Sequence, residues 1–147
     1  MDKQALIKKR YEFLPHTADA MFRAYGKNLS ESFSNAAEAL FMIMTEVKSV
    51  RAEVIKEIKV VSKNEQALLY DFLEELVYLV DTEGFLLSKV LNLSIKSGAG
   101  QLELNATLIG DTETKYEIFG HVKAITYSDM YILEEPGFVV LQVVPDI

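Results

Sequence analysis

The stretch Phe138-Val139-Val140-Leu141-Gln142-Val143-Val144 decides the fold, because every residue in it except Gln142 is apolar. A strand that is apolar on both faces is usually a central strand, covered on each side. Pro145 follows this stretch and stiffens the path of the chain toward Asp146 and Ile147. The stretch therefore predicts a central strand with an acidic residue at its end.

A second acidic residue lies in a turn near the N-terminus. Two short runs of extended-looking sequence, 11–14 and 20–25, flank His16-Thr17-Ala18-Asp19, and Pro15 breaks the first run. This pattern predicts a turn or bulge between two strands, where polar side chains can point outward without disturbing a core. We predict that Asp19 and Asp146 meet in space and form an acidic site.

Two segments between these ends have the apolar spacing of helices. The first runs from Leu29 to Val47, with Asn28 or Ser30 as the residue that caps its free N–H groups. The second begins at Asn64 and continues to about residue 81, and Gly84 ends it. Each helix has an apolar stripe that must pack against another element.

The remaining segments read as strands. Residues 52–62 form one strand between the two helices, because β-branched residues dominate there. After the second helix, strands are predicted at 85–96, 102–109, 120–127, 130–133 and 138–144, with a polar loop at 110–117. The order β-β-α-β-α-β-β-β-β-β predicts an α+β fold, in which two helices pack on a largely antiparallel sheet.

Length, charge and composition limit the possible functions. The chain has 147 residues, which suits a single domain over residues 1–147. It has no cysteine, no apolar run long enough to span a membrane and no signal-peptide pattern at the N-terminus, so we expect a cytoplasmic protein. The net charge of −7 disfavours direct nucleic-acid binding and favours cations or basic partner surfaces.

The candidate site residues each allow two interpretations. Asp19 either caps its turn or binds a hard cation, for which Asp146 and the C-terminal carboxylate of Ile147 would supply further oxygen ligands. Three such negative groups would repel one another unless a metal or a basic partner neutralised them. His16 and Lys123 are either ordinary polar residues or partner contacts. Since the chain has no phosphate-binding glycine loop and no nucleophile elbow, we predict no catalytic activity.

Five blocks of sequence, in order, resemble the archease family. They are 11–19 (YEFLPHTAD), 24–33 with Ala36-Ala37, 72–79 (FLEELVYL), 122–127 (VKAITY) and the terminal Asp146-Ile147. The resemblance covers nearly the whole chain. Two positions differ from the family pattern, namely Ser128, where the family often has histidine, and Pro145 before the last aspartate.

The resemblance implies a cofactor protein of the RtcB-type tRNA-splicing RNA ligase. Archeases promote guanylylation of that ligase, allow multiple turnover and broaden its use of nucleotides, and they are not themselves ligases. The family's metal site corresponds to Asp19, Asp146 and Ile147 of this sequence, with calcium as the implied ion. His16 and Lys123 remain candidates for partner contact.

Two other classes of function stay open at this point. A metal-dependent hydrolase could use the Asp19 and Asp146 pair, and would turn over substrate by itself with Mg²⁺ or Mn²⁺. A chaperone-like interaction module would bind its partner even after both aspartates were removed.

Overall fold

The computed structural model describes residues 2–15 and 20–147. The helices are α1 (Lys3–Lys9), α2 (Leu29–Met42) and α3 (Glu65–Glu83). The strands are β1 (Tyr11–Leu14), β2 (Met21–Gly26), β3 (Val54–Ser62), β4 (Phe85–Gly98), β5 (Gln101–Thr112), β6 (Ala124–Ile125), β7 (Tyr131–Glu135), β8 (Phe138–Val143) and β9 (Pro145–Asp146). Two short 3₁₀ turns lie at Val47–Ser49 and Glu113–Lys115.

All the paired strands are antiparallel. The largest sheet has four strands in the order β1-β2-β8-β7, and a second sheet has the order β3-β5-β4. A two-stranded ladder joins β6 to β9. Since β8 lies between β2 and β7, the prediction that 138–144 forms a central strand is confirmed.

The ends of α2 and α3 follow from local sequence. The side chain of Asn28 accepts the Glu31 N–H at 2.9 Å, and that of Asn64 accepts the Ala67 N–H at 2.8 Å. Each asparagine satisfies an N–H group that the first turn of a helix leaves free. Gly84 ends α3 in a left-handed conformation with φ of 64°, which is strained for residues with a side chain.

The core lies where α2 and α3 cover the sheets. Helix α2 packs on β2, β8 and β4, whereas α3 packs on β3, β5, β6 and β7. The rings of Phe33 on α2 and Phe72 on α3 stack with centroids 6.0 Å apart, and both are fully buried. The helices are therefore the layer that joins the sheets into one core.

The predicted α+β class is confirmed, and several details are corrected. The described residues form nine strands rather than the eight predicted, because β9 forms beyond the central strand. The first predicted helix ends at Met42 rather than Val47, and Val47 instead begins a 3₁₀ turn. Strand β5 reaches Thr112, so the predicted loop begins later than expected.

Helix α1 was not predicted from the sequence. It has only seven residues, and Asp2 caps it by accepting the Gln4 N–H at 2.9 Å. Helices this short are unstable alone, so their formation depends on tertiary packing that a local pattern does not reveal. Here Ile7 packs with Tyr25 and Phe138 on the face of the four-stranded sheet opposite the main core.

The segment before β6 also differs from the prediction. A strand was expected over 120–127, but only Ala124–Ile125 pairs with another strand. Instead, the Phe119 N–H donates a hydrogen bond to the Met44 carbonyl at 3.0 Å. The backbone at Gly120 lies so close to the end of α2 that an added Cβ would be 2.4 Å from the Ile43 carbonyl oxygen. This contact with the end of α2 replaces strand pairing over the first residues of the segment.

A buried carboxylate anchors the same segment where it leaves β5. Asp111 is 1% exposed and accepts the Tyr116 hydroxyl at 2.7 Å and the Thr112 N–H at 2.8 Å. The Tyr116 hydroxyl in turn accepts the Arg51 N–H at 2.9 Å. The pKa of Asp111 is lowered below its ordinary value, chiefly because its carboxylate accepts the hydrogen bond from Tyr116. Burial alone would raise this pKa, but it does not outweigh the hydrogen bonds.

None of the helices in the described ranges is both long enough and apolar enough to span a membrane.

Candidate functional site

The site is built around the last strand of the chain. In the β6–β9 ladder, Asp146 lies opposite Ala124 and Pro145 opposite Ile125. The Lys123 N–H extends this ladder by donating to the Asp146 carbonyl at 2.7 Å. These backbone bonds hold the strand that carries Asp146 in a defined position, unlike most chain ends.

Helix α3 fixes the position of this ladder. The Glu74 carboxylate accepts the Ile125 N–H at 2.9 Å, across a separation of 51 residues in sequence. On the other side of β6, the Thr126 hydroxyl donates to the Val144 carbonyl at 2.8 Å. Because Val144 and Pro145 are buried, the final strand is continuous with the core up to Pro145.

The polar groups at the end of β9 are open to solvent. Asp146 is exposed, and Ile147 is 44% exposed despite its apolar side chain. No lysine or arginine of the described ranges forms an ion pair with the Asp146 carboxylate. The carboxylate is therefore available to a cation or to a basic group of a partner.

The β1–β2 hairpin approaches the same region of the sheet. Its innermost described pair is Leu14 with Met21, and Phe22 lies opposite Val143 of β8. The chain that enters β2 and the chain that leaves β8 are consequently neighbours. His16 and Asp19, which the sequence proposes as site residues, lie outside the described residues.

Lys123 is the remaining candidate from the sequence. Its backbone joins the β6–β9 ladder beside Asp146, while its side chain is exposed. The strand expected over 120–127 does not include Lys123, because residues 121–123 are not paired as a strand. The structure thus places the backbone of Lys123 beside that of Asp146, a proximity that the sequence did not predict.

An aromatic pair lies next to the ladder. The rings of Tyr70 on α3 and Tyr127 after β6 are nearly parallel, with an interplanar angle of 5° and centroids 4.3 Å apart. Burial raises the pKa of the Tyr70 hydroxyl, and the nearby Glu74 carboxylate raises it further. Burial likewise raises the pKa of Tyr127, with a second contribution from Asp71.

Sequence reasoning did not identify Glu74 or Tyr127 as parts of this site. Glu74 reads as one more polar residue on the wet side of α3, and Tyr127 as a residue of an amphipathic strand. Their importance depends on contacts between elements that are far apart in sequence. Helical or strand spacing within either segment could not have indicated these contacts.

The donor set suits a hard cation in its chemistry. Carboxylate oxygens are preferred by Ca²⁺ and Mg²⁺, and the exposed Asp146 carboxylate supplies two of them. Within 2–15 and 20–147, no three histidine, aspartate or glutamate side chains cluster closely enough to bind a metal by themselves. A complete site would need further oxygen donors, and Asp19 and the Ile147 carboxylate are the candidates from the sequence.

Fold and site together define a small α+β protein whose C-terminal strand displays an acidic end beside its N-terminal hairpin. Residues 11–147 match the family model described as the Archease protein family (MTH1598/TM1083). The chain is also 39% identical over 140 residues to the protein archease of Methanothermobacter thermautotrophicus, covering 95% of this chain and 99% of that one. The chain therefore belongs to the archease family.

Other relatives and solved structures agree with this assignment. The protein archease of Pyrococcus abyssi is 39% identical over 142 residues, covering 95% of this chain and 99% of its own. The solution structure of Methanobacterium thermoautotrophicum protein 1598 superposes with a TM-score of 0.83 at 38% identity, covering 95% and 99% of the two chains. A Thermotoga maritima structure described as an archease and possible chaperone shares the fold, with a TM-score of 0.59 at 18% identity, covering 91% and 94%.

Proposed function

We propose that this chain is a non-catalytic activator of an RtcB-type tRNA-splicing RNA ligase. In this role it promotes guanylylation of the ligase, supports multiple turnover and broadens the nucleotides that the ligase uses. Membership of the archease family supports the proposal. The single structural observation that carries it is the last strand, which is held in the core while Asp146 stays exposed without a basic partner in the described ranges.

We further propose that Asp19, Asp146 and the terminal carboxylate of Ile147 hold a divalent cation, calcium before others. Asp19 precedes β2 by two residues, and β2 runs beside the strand that leads to Asp146. When bound, such a cation neutralises charge on a phosphoryl group in transfer. The chain's own part is to hold the strand that carries the Asp146 carboxylate at a fixed place, through the β6–β9 ladder and the Glu74 bond to Ile125.

His16 and Lys123 are proposed as contacts to the ligase. Lys123 is exposed, and its backbone is bonded to that of Asp146, so its ammonium group is positioned to meet a phosphate or a carboxylate near the acidic end. The overall charge of −7 supports a protein partner rather than direct binding of RNA, because RNA phosphates are repelled by an acidic surface.

A single-turnover guanylylation assay tests the proposal. Purified RtcB-type ligase is incubated with radiolabelled GTP, with and without this protein, and labelling of each polypeptide is followed. We expect faster labelling of the ligase and no labelling of this protein. Absence of any effect on a cognate ligase would contradict the proposed function.

Asp146→Ala tests the acidic end, with Glu57→Ala as its matched control. Glu57 is also an exposed carboxylate, but it lies on β3. We expect Asp146→Ala to abolish stimulation and to weaken calcium binding in a calorimetric titration, whereas Glu57→Ala does neither. Binding and stimulation that survive Asp146→Ala would favour the chaperone-like alternative, and hydrolysis by the isolated protein with Mg²⁺ or Mn²⁺ would favour a hydrolase.

The role of the Ile147 carboxylate needs a separate variant. Adding Gly-Ser and a tag after Ile147 replaces the carboxylate by an amide carbonyl, which is a weaker ligand for a hard cation. The matched control has the same tag before Met1. We expect the C-terminal extension alone to weaken calcium binding, and equal calcium affinities of the two tagged forms would remove Ile147 from the ligand set.

A further inference from the structure

One side of α3 combines exposed aromatic rings with an unusual concentration of negative charge. The helix is 19 residues long and contains no lysine or arginine. Its sequence includes six carboxylates, against a net charge of −7 for the whole chain. They are Glu65, Asp71, Glu74, Glu75, Asp81 and Glu83.

Few of these carboxylates are neutralised within the protein. In the described part of the chain, only Glu83 forms an ion pair with a basic side chain, that of Lys56. Asp71 accepts a neutral hydrogen bond from the Ser62 hydroxyl at 2.6 Å, and Glu74 accepts the Ile125 N–H. A hydrogen bond with Glu134, together with burial, raises the pKa of Glu65 to about 7, so Glu65 carries only part of a charge near neutral pH. Asp71, Glu74 and Glu75 have no basic partner in the described ranges and supply the negative charge on the side of α3 that faces solvent.

Three tyrosines lie on the same side. Residues four apart in a helix share a face, so Tyr70, Glu74 and Tyr78 form one stripe along α3. Tyr78 is 57% exposed, and Tyr127 is 53% exposed although its ring stacks on Tyr70. One face of the Tyr127 ring is covered by Tyr70. The pKa of the Tyr127 hydroxyl is raised first by burial and then by the charge of Asp71.

We infer that this surface, the aromatic ridge of Tyr70, Tyr78, Tyr127, Asp71, Glu74 and Glu75, docks an arginine-bearing surface of a protein partner. The identity of that partner rests on the proposed function. The preference of the ridge for arginine does not depend on the proposed function. A guanidinium group stacks on aromatic faces and pairs with carboxylates, and the ridge offers both side by side.

Charge complementarity selects this occupant. A ligase that handles RNA and GTP must present lysines and arginines to phosphates, so the rim of its active site is basic. Tyrosine and arginine are also the residue types that most often dominate binding energy at protein interfaces. Single-stranded RNA could stack on exposed tyrosines as well, but its phosphates would face the carboxylates of α3.

The ridge adjoins the proposed metal site through its own bonds. Glu74, in the middle of the ridge, holds the Ile125 N–H, and Ile125 pairs with Pro145 next to Asp146. A partner seated on the ridge would therefore meet the acidic end of the chain in a fixed orientation. The ridge supplies affinity, while Asp146 is needed at a later step.

The first test measures ligase binding by calorimetric titration of full-length variants. We expect Tyr127→Ala to weaken the affinity roughly tenfold or more, as for an aromatic hot spot, and Tyr127→Phe to change it by less than about twofold. Phe119→Ala is the matched control, since Phe119 is 58% exposed but lies against the end of α2. Equal losses for Tyr127→Ala and Phe119→Ala would overturn the inference.

Two further ridge variants, with one control on β3, guard against misfolding of Tyr127→Ala. Tyr78→Ala removes an exposed ring, and we expect it to weaken ligase binding several-fold without changing the unfolding midpoint. Glu75→Lys reverses one charge on the ridge, and Glu57→Lys makes the same change on β3. If both lysine variants weaken binding equally, only net charge matters and the ridge is not the docking surface.

A ligase-free measurement separates this inference from the proposed function. The protein is titrated with a ten-residue arginine peptide, a ten-residue lysine peptide and a single-stranded RNA of similar length. We expect the arginine peptide to bind more tightly than the lysine peptide, and Tyr127→Ala to remove the difference. Tyr127-dependent binding of the RNA in place of the peptides would overturn the assignment to a protein partner.

The outcomes can be told apart. If the wild-type protein neither binds nor stimulates a ligase but keeps its Tyr127-dependent preference for arginine, the proposed function fails and the ridge stands. If it stimulates the ligase and the ridge variants bind as tightly as wild type, the ridge fails and the proposed function stands. If Asp146→Ala abolishes stimulation but keeps ligase binding, docking and activation are separate, as inferred.

Discussion

The two ends of the chain are attached to the same four-stranded sheet in different ways. Helix α1 lies on the outer face, where Ile7 forms a small cluster with Tyr25 and Phe138 that is separate from the main core. The last strand instead continues directly from β8, whose residues Leu141 and Val143 are fully buried. The family model begins at residue 11, so it includes the C-terminal end but not α1.

This difference connects packing with function. Polar contacts around α1 join exposed side chains, such as Lys3 with Glu135, or partly exposed ones, such as Lys9 with Glu12 at 2.6 Å. The C-terminal strand is fixed by backbone pairs and by the Glu74 carboxylate. Under the proposed function, the segment that carries Asp146 needs the second kind of attachment, whereas a covering helix needs only the first.

The largest effect is expected for a truncation in the central strand. Leu141→Ala should lower the free energy of unfolding by about 2–5 kcal/mol, because the residue is fully buried and its cavity cannot collapse easily. Ile7→Ala in α1 should cost about 2 kcal/mol or less, since the outer-face cluster can close around the loss. Urea unfolding of the two variants measures both values, and equal costs would mean that α1 belongs to the main core.

The next effect concerns the link between α3 and the final strands. Glu74→Ala leaves the Ile125 N–H without its acceptor and should cost about 1–3 kcal/mol. Glu74→Gln keeps a carbonyl oxygen at this position and should restore most of that stability. Amide hydrogen exchange at Ile125 is the specific measurement, and exchange that is unchanged in Glu74→Ala would show that the bond does not hold β6.

Much of this architecture could be predicted from the sequence, but the link itself could not. The capping asparagines Asn28 and Asn64 and the apolar run of β8 act through local rules, and each was located from its neighbours alone. The Glu74 bond to Ile125 and the stacking of Tyr127 on Tyr70 arise only when α3 meets β6. Helix α1 was missed for the same reason, because its stability comes from the sheet beneath it.

A smaller effect, which depends on pH, is expected at the anchor of the segment that leads to β6. The pKa of Asp111 is lowered in the folded protein, so its charged form is stabilised by folding. This stabilisation is fully present above the pKa of aspartate in the unfolded chain, which is about 3.9. It is lost as the pH falls through the lower pKa of Asp111 in the folded protein. Between about pH 7 and about pH 3, the urea midpoint of Asp111→Asn should therefore fall less than that of the wild type.

Glu103→Gln is a control for this measurement. Its pKa is also lowered, chiefly by a hydrogen bond from Asn105 and then by Lys59, but the residue lies on β5 away from the segment. We expect only Asp111→Asn to combine a flatter pH profile with faster amide exchange at Tyr116. The same pH profile for Asp111→Asn and wild type would contradict a lowered pKa for Asp111.

The smallest effect is expected where α1 meets the tip of the β7–β8 hairpin. Lys3 pairs with Glu135, and the two side chains are 56% and 52% exposed, so solvent screens most of their attraction. The Lys3 ammonium also lies 5.6 Å from the centroid of the Phe138 ring. A double-mutant cycle of Lys3→Met and Glu135→Gln removes the charges while keeping most of the alkyl stem of Lys3. We expect a coupling energy below about 0.5 kcal/mol that vanishes at high salt. A salt-resistant coupling energy above about 1 kcal/mol would place this pair outside the range of ordinary surface ion pairs. Helix α1 would then have an electrostatic anchor comparable in strength to the hydrogen bonds that hold the C-terminal strand.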